Sequence, residues 1–138
     1  MGFGLALVGT PDEISLMKSL ALKEKQFLTI NKKNDIRLQL RERMKLLEMN
    51  PFPVYTGSPI YVLVEEFTDD YVKNLFYFYM KLNIVFVYSI KSIDELSESQ
   101  KINTQYIAYV SRSNVSDKTL FITDTINTKT FHNFSDIM

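Results

Sequence analysis

The chain has 138 residues, no cysteine, and sixteen basic residues balanced by sixteen acidic ones, so its formal net charge is zero. This length is typical of one domain that buries a core without covalent staples. The absence of cysteine excludes disulfides and thiolate zinc sites. No apolar stretch approaches a membrane span, and Met1–Gly9 has no basic residue before its short apolar run, unlike a secretion signal. We therefore expect a soluble, cytoplasmic protein that does not bind a membrane.

The charges are spread unevenly along the chain. Nine lysines and arginines and three acids lie between Lys18 and Lys45, whereas three lysines and eight acids lie between Leu46 and Gln100. The basic part is either a solvated face or a surface that meets an acidic partner such as RNA.

The first helix signal follows an apolar start that we interpret as a tail. Thr10-Pro11-Asp12-Glu13 combines a capping residue, a proline suited to the first turn and a glutamate that completes a capping box. The pattern predicts a helix from there to about Phe27. A second helix is predicted over Ile36–Met49, and it must end at Asn50-Pro51-Phe52-Pro53 because proline lacks the donor that a helix interior needs.

The clearest pattern in the sequence lies between Pro59 and Tyr88. Two five-residue apolar runs, Ile60–Val64 and Ile84–Tyr88, are typical of strands buried on both faces. The residues between the runs include five apolar side chains at helical spacing, which are Val72, Leu75, Phe76, Tyr79 and Met80. Strand, helix and strand in this order predict a parallel, right-handed βαβ unit.

The remaining elements complete the predicted fold. Ser92 and Glu95 form a capping-box pattern that predicts a short helix over Ile93–Lys101, and Thr104–Val110 reads as a strand. Lys118–Ile126 fits a helix or a strand, and we favour the helix because another α element would balance the sheet.

The fold class predicted from these elements is α/β. We expect a single small domain with a mostly parallel or mixed sheet of three to four strands, helices on its faces, and two N-terminal helices before it. The predicted core spans residues 35–126, between an N-terminal tail and helix over 1–34 and a tail over 127–138.

Catalytic motifs are absent from the sequence. His132 is the only histidine, and no Gly-x-Ser-x-Gly elbow supports a serine triad around it. Gly2, Gly4 and Gly9 do not form the glycine pattern of a nucleotide-binding loop. We therefore predict no enzyme activity, no catalytic residue, no cofactor and no small-molecule substrate.

A group of four carboxylates follows the first apolar run, at Glu65, Glu66, Asp69 and Asp70. The carboxyl edge of an open α/β sheet is where such folds bind ligands, and several oxygen ligands suit magnesium. The cluster equally fits the capping and solvation of a helix start, where the helix dipole favours negative charge. We favour this second interpretation and predict no metal site.

Nucleic-acid contact is best supported on the predicted second helix. Its basic side chains, Arg37, Arg41, Arg43 and Lys45, can track phosphates, although an ordinary exposed helix has a similar composition. The aromatic run Phe76–Tyr79 fits base stacking less well than packing on the sheet, because consecutive helical residues point in different directions.

The stretch Arg41-Glu42-Arg43-Met44-Lys45-Leu46-Leu47-Glu48 resembles the helix before the first long strand of the kink-turn-binding ribosomal proteins. The order of strand, helix, strand and helix in this chain is also similar to that of the family, and most similar to its eukaryotic small-subunit branch, ribosomal protein twelve. These elements correspond to Tyr61–Val64, Tyr71–Lys73, Leu82–Ile84 and Asp94–Leu96. The resemblance covers about residues 35–126. It implies a non-catalytic, RNA-associated structural protein whose partners are rRNA and neighbouring ribosomal proteins.

On this resemblance we predict five RNA-contacting residues: Arg37, Arg41, Glu42, Lys45 and Lys91. The basic side chains would meet phosphates, and Glu42 would orient a base or a neighbouring cation. Gln39 and Ser97 stand where the family has glycine at RNA-facing positions, which removes close approach of the backbone to RNA. We therefore do not expect the family's standard kink-turn contact.

The order of elements is also similar, more faintly, to the psi subunit of the bacterial clamp loader, an α/β protein without activity of its own. This alternative implies a protein-binding accessory subunit of a larger complex. It predicts an apolar surface on the core and a binding tail, for which Gly2–Gly9 is the candidate. The sequence identifies neither the RNA nor the protein partner.

Overall fold

The computed structural model describes residues 2–30, 59–65, 83–112 and 118–138. Its seven strands in these ranges are β1 Phe3–Val8, β2 Phe27–Ile30, β3 Ile60–Val64, β4 Ile84–Ile90, β5 Thr104–Arg112, β6 Lys118–Asp124 and β7 Thr130–Phe131. They form one sheet in the order β2-β3-β4-β1-β5-β6-β7. The α-helices in the same ranges are α1 Pro11–Glu24 and α2 Glu98–Ile102, and single 3₁₀ turns lie at Ile93–Glu95 and Phe134–Asp136.

The predicted α/β class is confirmed, but the predicted size and start of the fold are wrong. The described sheet has seven strands rather than three to four. The chain begins with a strand, β1, where we predicted a tail followed by two helices. Only α1 of those two helices is seen, because Ile36–Met49 lies outside the described residues.

The chain divides into two compact units, one of Met1–Gly4 and Phe27–Tyr88 and the other of Leu5–Gln26 and Ser89–Met138. In the first unit β2, β3 and β4 pair in parallel, which confirms the predicted parallel pairing of the two apolar runs. Val62 and Phe86 lie opposite each other in this register and are fully buried. The predicted helix between β3 and β4 lies outside the described residues.

The end of the first predicted helix is corrected by β2. The helix stops at Glu24, Lys25 adopts an extended conformation, and Phe27 begins the strand instead of ending the helix. The Phe27 ring packs edge-on against Tyr61 of β3, with 5.6 Å between ring centroids. An aromatic cross-strand contact of this kind stabilises a sheet, so strand pairing prevails over the helical pattern at this point.

The second unit is built on the apolar part of β1. Leu5, Ala6 and Leu7 are fully buried, and α1 adds Met17 and Ala21 to the core. The continuous apolar run of β1 is therefore typical of a strand covered on both faces rather than of a tail.

The segment from residue 118 is a strand, so the helix that we favoured over Lys118–Ile126 is wrong. β6 pairs antiparallel with β5, and buried Ala108 lies opposite buried Ile122. Alternate residues of β6 face opposite sides of the sheet, and this two-residue period places Ile122 in the core. The predicted C-terminal tail also contains structure, since it contributes β7 and the buried Phe134.

The predicted helix over Ile93–Lys101 is two separate turns. Ser92 caps the 3₁₀ turn through the backbone N–H of Asp94, and α2 begins later. The capping box lies at Ser97 and Gln100, where each residue's backbone N–H donates to the other's side-chain oxygen, at 2.9 and 3.3 Å. Ser97 therefore caps α2.

The capping box predicted at the start of α1 is confirmed. The backbone N–H of Thr10 donates to Glu13 Oε1 at 3.0 Å, and the backbone N–H of Glu13 donates to Thr10 Oγ1 at 3.3 Å. Gly9 precedes the box with φ at 156°, and a Cβ atom there would lie 2.9 Å from Glu13 Oε1 and 3.2 Å from Glu13 Cβ. Glycine at position 9 is therefore what allows the Glu13 side chain to fold back.

The turn between β6 and β7 is organised by a buried carboxylate. Asp124, only 3% exposed, accepts hydrogen bonds from the backbone N–H groups of Ile126 at 2.9 Å and Asn127 at 3.1 Å, and from the Asn127 side-chain amide at 3.1 Å. Burial raises the pKa of Asp124, but the hydrogen bonds from Asn127, Ile126 and Gln105 favour the charged form more strongly. The pKa of this carboxyl therefore lies below its ordinary value.

Replacing Gly9 by alanine should lower the free energy of unfolding by about 1–2 kcal/mol, because the new methyl group displaces Glu13 and strains the backbone. Urea denaturation followed by circular dichroism measures the change. Thr10→Ala removes the same box without backbone strain and should cost about 1 kcal/mol. The double variant should lose less free energy of unfolding than the sum of the two single losses, since both substitutions remove the same interaction. Full additivity of the losses, or an unchanged stability of Gly9→Ala, would contradict the interpretation.

Asp124→Asn should lower the free energy of unfolding at neutral pH by about 1–2 kcal/mol, because the amide replaces a charged carboxylate that accepts several hydrogen bonds. The pKa of Asp124 is lower in the folded than in the unfolded state, so its charge stabilises the fold. This stabilisation is complete above the unfolded-state pKa of about 3.9 and is lost as the pH falls through the folded-state pKa. The stability difference between the two proteins, measured by urea denaturation across the acid range, should therefore shrink below about pH 4. A difference that stays constant with pH would argue against the charged turn.

Candidate functional site

One of the five predicted RNA-contacting residues lies in the described part of the chain. Lys91 is exposed and follows directly on β4. The other four, Arg37, Arg41, Glu42 and Lys45, lie outside the described residues. Of the acidic cluster, Glu65 is exposed just after β3, and Glu66, Asp69 and Asp70 also lie outside the described residues.

Lys91 lines an open pocket of about 500 Å³, which we call the Lys91 pocket. Its lining residues include Gly9, Ile14, Ser15, Lys18, Ile90 and Glu95. The ends of two strands meet here, because the backbone N–H of Gly9 after β1 donates to the carbonyl oxygen of Ile90 at the end of β4, at 3.3 Å. The pocket thus lies at the carboxyl ends of strands, the edge at which open α/β sheets bind their ligands.

Two lysines reach this pocket from different elements. Lys18 stands on α1 four residues after Ile14, so the two side chains share one face of the helix. Lys91 comes from the end of β4 and approaches from the sheet. Among the described residues neither lysine forms an ion pair, and Glu95 is the one carboxylate that lines the pocket with them. The described lining residues therefore carry a net positive charge and suit an anion.

The helix start beside the pocket is already occupied. The Glu13 carboxylate accepts a hydrogen bond from the backbone N–H of Thr10 and so caps the N-terminus of α1. It occupies the position from which an anion would otherwise approach the amides of a helix end. Binding of an anion therefore falls to the ammonium groups of Lys18 and Lys91 and to the hydroxyl of Ser15. Lysine meets a phosphate as a flexible point charge, which suits positioning of a polymer more than recognition of one fixed geometry.

A second pocket of about 350 Å³ lies around the only histidine, and we call it the His132 pocket. It includes Lys23, Lys118, Thr119 and Asn133. His132 is exposed, and its Nδ1 lies 2.9 Å from the carbonyl oxygen of Leu120. Because a carbonyl oxygen only accepts, Nδ1 must carry the hydrogen of this bond. His132 is therefore a surface group that is hydrogen-bonded to the backbone of β6.

Three rings form a continuous stack beside this pocket, which we call the aromatic column. Tyr109 of β5 and Phe121 of β6 are register partners with ring centroids 5.4 Å apart and planes 12° from parallel. His132 meets Phe121 edge-on at 5.1 Å. Sequence reasoning missed this group, because the three residues come together only through the pairing of β5 with β6. The two-residue spacing of Thr119, Phe121 and Thr123 in β6 is the one local signal, and it does not by itself set the register with β5.

No metal centre is formed by the described side chains, among which no three histidines or carboxylates come together. None of the helices in the same part of the chain is long and apolar enough to cross a membrane.

No protein-family model matches this chain, and no curated protein matches it. Among solved structures, the chain is similar to the crystal structure of the N-terminal domain of zonular occludens toxin from Neisseria meningitidis. The TM-score is 0.55 at 10% sequence identity, and the match covers 94% of this chain and 87% of that chain. At this identity the likeness shows the fold alone, and function has to be argued from the site.

Proposed function

We propose that this chain is a non-catalytic, RNA-associated structural protein of the cytoplasm that serves as a ribosomal protein. The observation that supports it is the Lys91 pocket, where Lys18 and Lys91 converge at the edge of the sheet without ion pairs among the described residues. Phosphates dominate the affinity of proteins for RNA, and lysines that are not committed to carboxylates are available to meet them. Lys91 acts as a phosphate contact, and Lys18 joins it.

The four predicted contacts outside the described residues belong to the same proposal. Arg37, Arg41 and Lys45 meet further phosphates, and Glu42 orients a base or a neighbouring cation. Each added phosphate contact steepens the dependence of binding on salt, so the complete set gives tight binding at low salt and release at high salt.

A second candidate function is a protein-binding accessory subunit. It is favoured by two exposed isoleucines of the second unit, Ile102 at 80% and Ile126 at 68% exposure, which suit contact with an apolar partner surface. Gly2–Gly9, the predicted binding tail, cannot serve this role, because its apolar residues are buried in β1.

Neutralising the pocket in the double variant Lys18→Gln/Lys91→Gln should weaken binding of a labelled single-stranded RNA. The slope of log affinity against log salt should become shallower by about 1.4, because each phosphate contact to a single strand contributes about 0.7. Fluorescence anisotropy at several potassium chloride concentrations measures this slope. Lys101→Gln is the matched control, since Lys101 lines neither pocket and its surface ion pair with Glu98, at 3.5 Å, has little energetic weight.

Equal slopes for the double variant and the control would exclude the Lys91 pocket as an RNA site. Sedimentation of the native protein through a sucrose gradient then separates the two candidate functions. Travel with a ribosomal subunit at low salt, release at high salt and weaker association of Arg41→Glu support the ribosomal proposal. A small complex that is insensitive to salt contradicts it and supports the accessory subunit.

A further inference from the structure

The His132 pocket lies where three segments of the second unit meet, namely the end of α1, the start of β6 and the chain after β7. Phe134 lines it and is buried, and the 3₁₀ turn that begins with Phe134 packs against α1. The polar residues of the described lining are Lys23, Glu24, Lys118, Thr119, His132 and Asn133. All six are exposed, so the pocket has a buried apolar base and a polar rim.

We propose that the His132 pocket binds a terminal phosphate group, which means inorganic phosphate or a phosphate monoester. Lys23 comes from the last turn of α1, and Lys118 is the first residue of β6. Among the described residues neither lysine forms an ion pair, and Glu24 is the one carboxylate that lines the pocket with them. Two ammonium groups from different elements, neither committed to a carboxylate, are therefore available to one anion.

Two neutral side chains on the rim add hydrogen-bond donors. Asn133 occupies the N-cap position of the 3₁₀ turn, yet its side chain makes no capping bond there. Within the described part of the chain, neither its amide nor the hydroxyl of Thr119 is hydrogen-bonded. Amide and hydroxyl groups both donate to phosphate oxygens, so these two complete a donor set that comes from all three segments.

The hydrogen bond of His132 decides which of its ring nitrogens is open to a ligand. Nδ1 donates to the carbonyl oxygen of Leu120, so Nε2 of the neutral ring is an acceptor on the far side of the imidazole. Nε2 has no hydrogen-bond partner among the described residues. A monoester releases its second proton near about pH 6, so it offers Nε2 a hydrogen below that pH and an acceptor oxygen for a protonated ring above it. A phosphodiester has no such hydrogen and one free oxygen fewer, so the pocket favours the monoester.

The size of the pocket limits what the phosphate is attached to. A volume of about 350 Å³ lies near the lower end of the range for ligand sites, which is about 300–1,000 Å³. It holds the phosphate and a small part of its substituent. Free phosphate and the 5′ end of an RNA both supply this group. The inference goes beyond the proposed function, because it requires neither the Lys91 pocket nor a bound strand.

The only histidine of the chain is a specific probe of this pocket, since its imidazole NMR signals need no assignment. Titration with inorganic phosphate at constant pH and ionic strength should shift these signals saturably. Lys23→Gln/Lys118→Gln should weaken the apparent affinity about tenfold, because two cations are removed. Lys129→Gln is the matched control and should behave like the wild type, since the exposed Lys129 lies three residues before His132 but lines neither pocket.

Three results overturn the inference: no shift with phosphate, an equal titration of the double variant with its fold verified by circular dichroism, or an equal response to dimethyl phosphate, a diester. A comparison of 5′-phosphorylated RNA with the same RNA carrying a 5′-hydroxyl then separates the two sources. Tighter binding of the phosphorylated strand by the wild type, but not by the double variant, assigns the RNA end, and equal binding assigns free phosphate. The salt slope of Lys18→Gln/Lys91→Gln is measured separately, so the proposed function and this site can each fail alone.

Discussion

The burial of β1 is the constraint on which the second unit depends. Leu5 and Leu7 are fully buried, and burying one such side chain contributes about 2 kcal/mol, so the strand cannot shift or leave the sheet at moderate cost. With β1 fixed, the chain must turn at Gly9, whose backbone N–H donates a hydrogen bond to the carbonyl oxygen of Ile90 at the end of β4. The direction of α1, and with it the place of Lys18, follows from this anchor.

The capped start of α1 limits which groups of the neighbouring pocket are open to a ligand. A strand, a short loop and a helix in this order can present free backbone amides to a phosphate, provided the loop leaves room for it. In this chain Glu13 fills the room and places a negative charge there. Under the proposed function, the side chains of Lys18 and Lys91, rather than backbone amides, meet a phosphate here. This arrangement favours a polymer held at several points over a small molecule held at one.

The sequence predicted best those elements whose signals are local. Ile60–Val64 matches β3 to the residue, because Pro59 and Glu65 bound a continuous run buried on both faces. Thr10 and Glu13 form the predicted capping box, since the interaction spans three residues. Such patterns need no knowledge of distant partners.

The missed elements depend on pairing between distant segments. Phe3–Val8 contains Gly4 and lies between Gly2 and Gly9, so its sequence does not distinguish it from a tail without its neighbours in the sheet. Phe27–Ile30 follows α1 so closely that its apolar residues extend the helical pattern. Lys118–Asp124 has three consecutive apolar residues that fit either a helix or a strand, and its pairing with β5 selects the strand. The aromatic column shares this origin, because a cross-strand register brings Tyr109 to Phe121.

α1 contributes residues to both cationic pockets, which bears on the RNA that the proposed function requires. Lys18 lines the Lys91 pocket and Lys23 lines the His132 pocket, about 7.5 Å apart along the helix axis. Under the proposed function, a flexible single strand can adjust its backbone to both lysines, whereas a duplex holds its phosphates in a fixed geometry. Once one pocket holds the strand, the second contact becomes intramolecular, so two weak sites on one helix give a stronger complex than either alone.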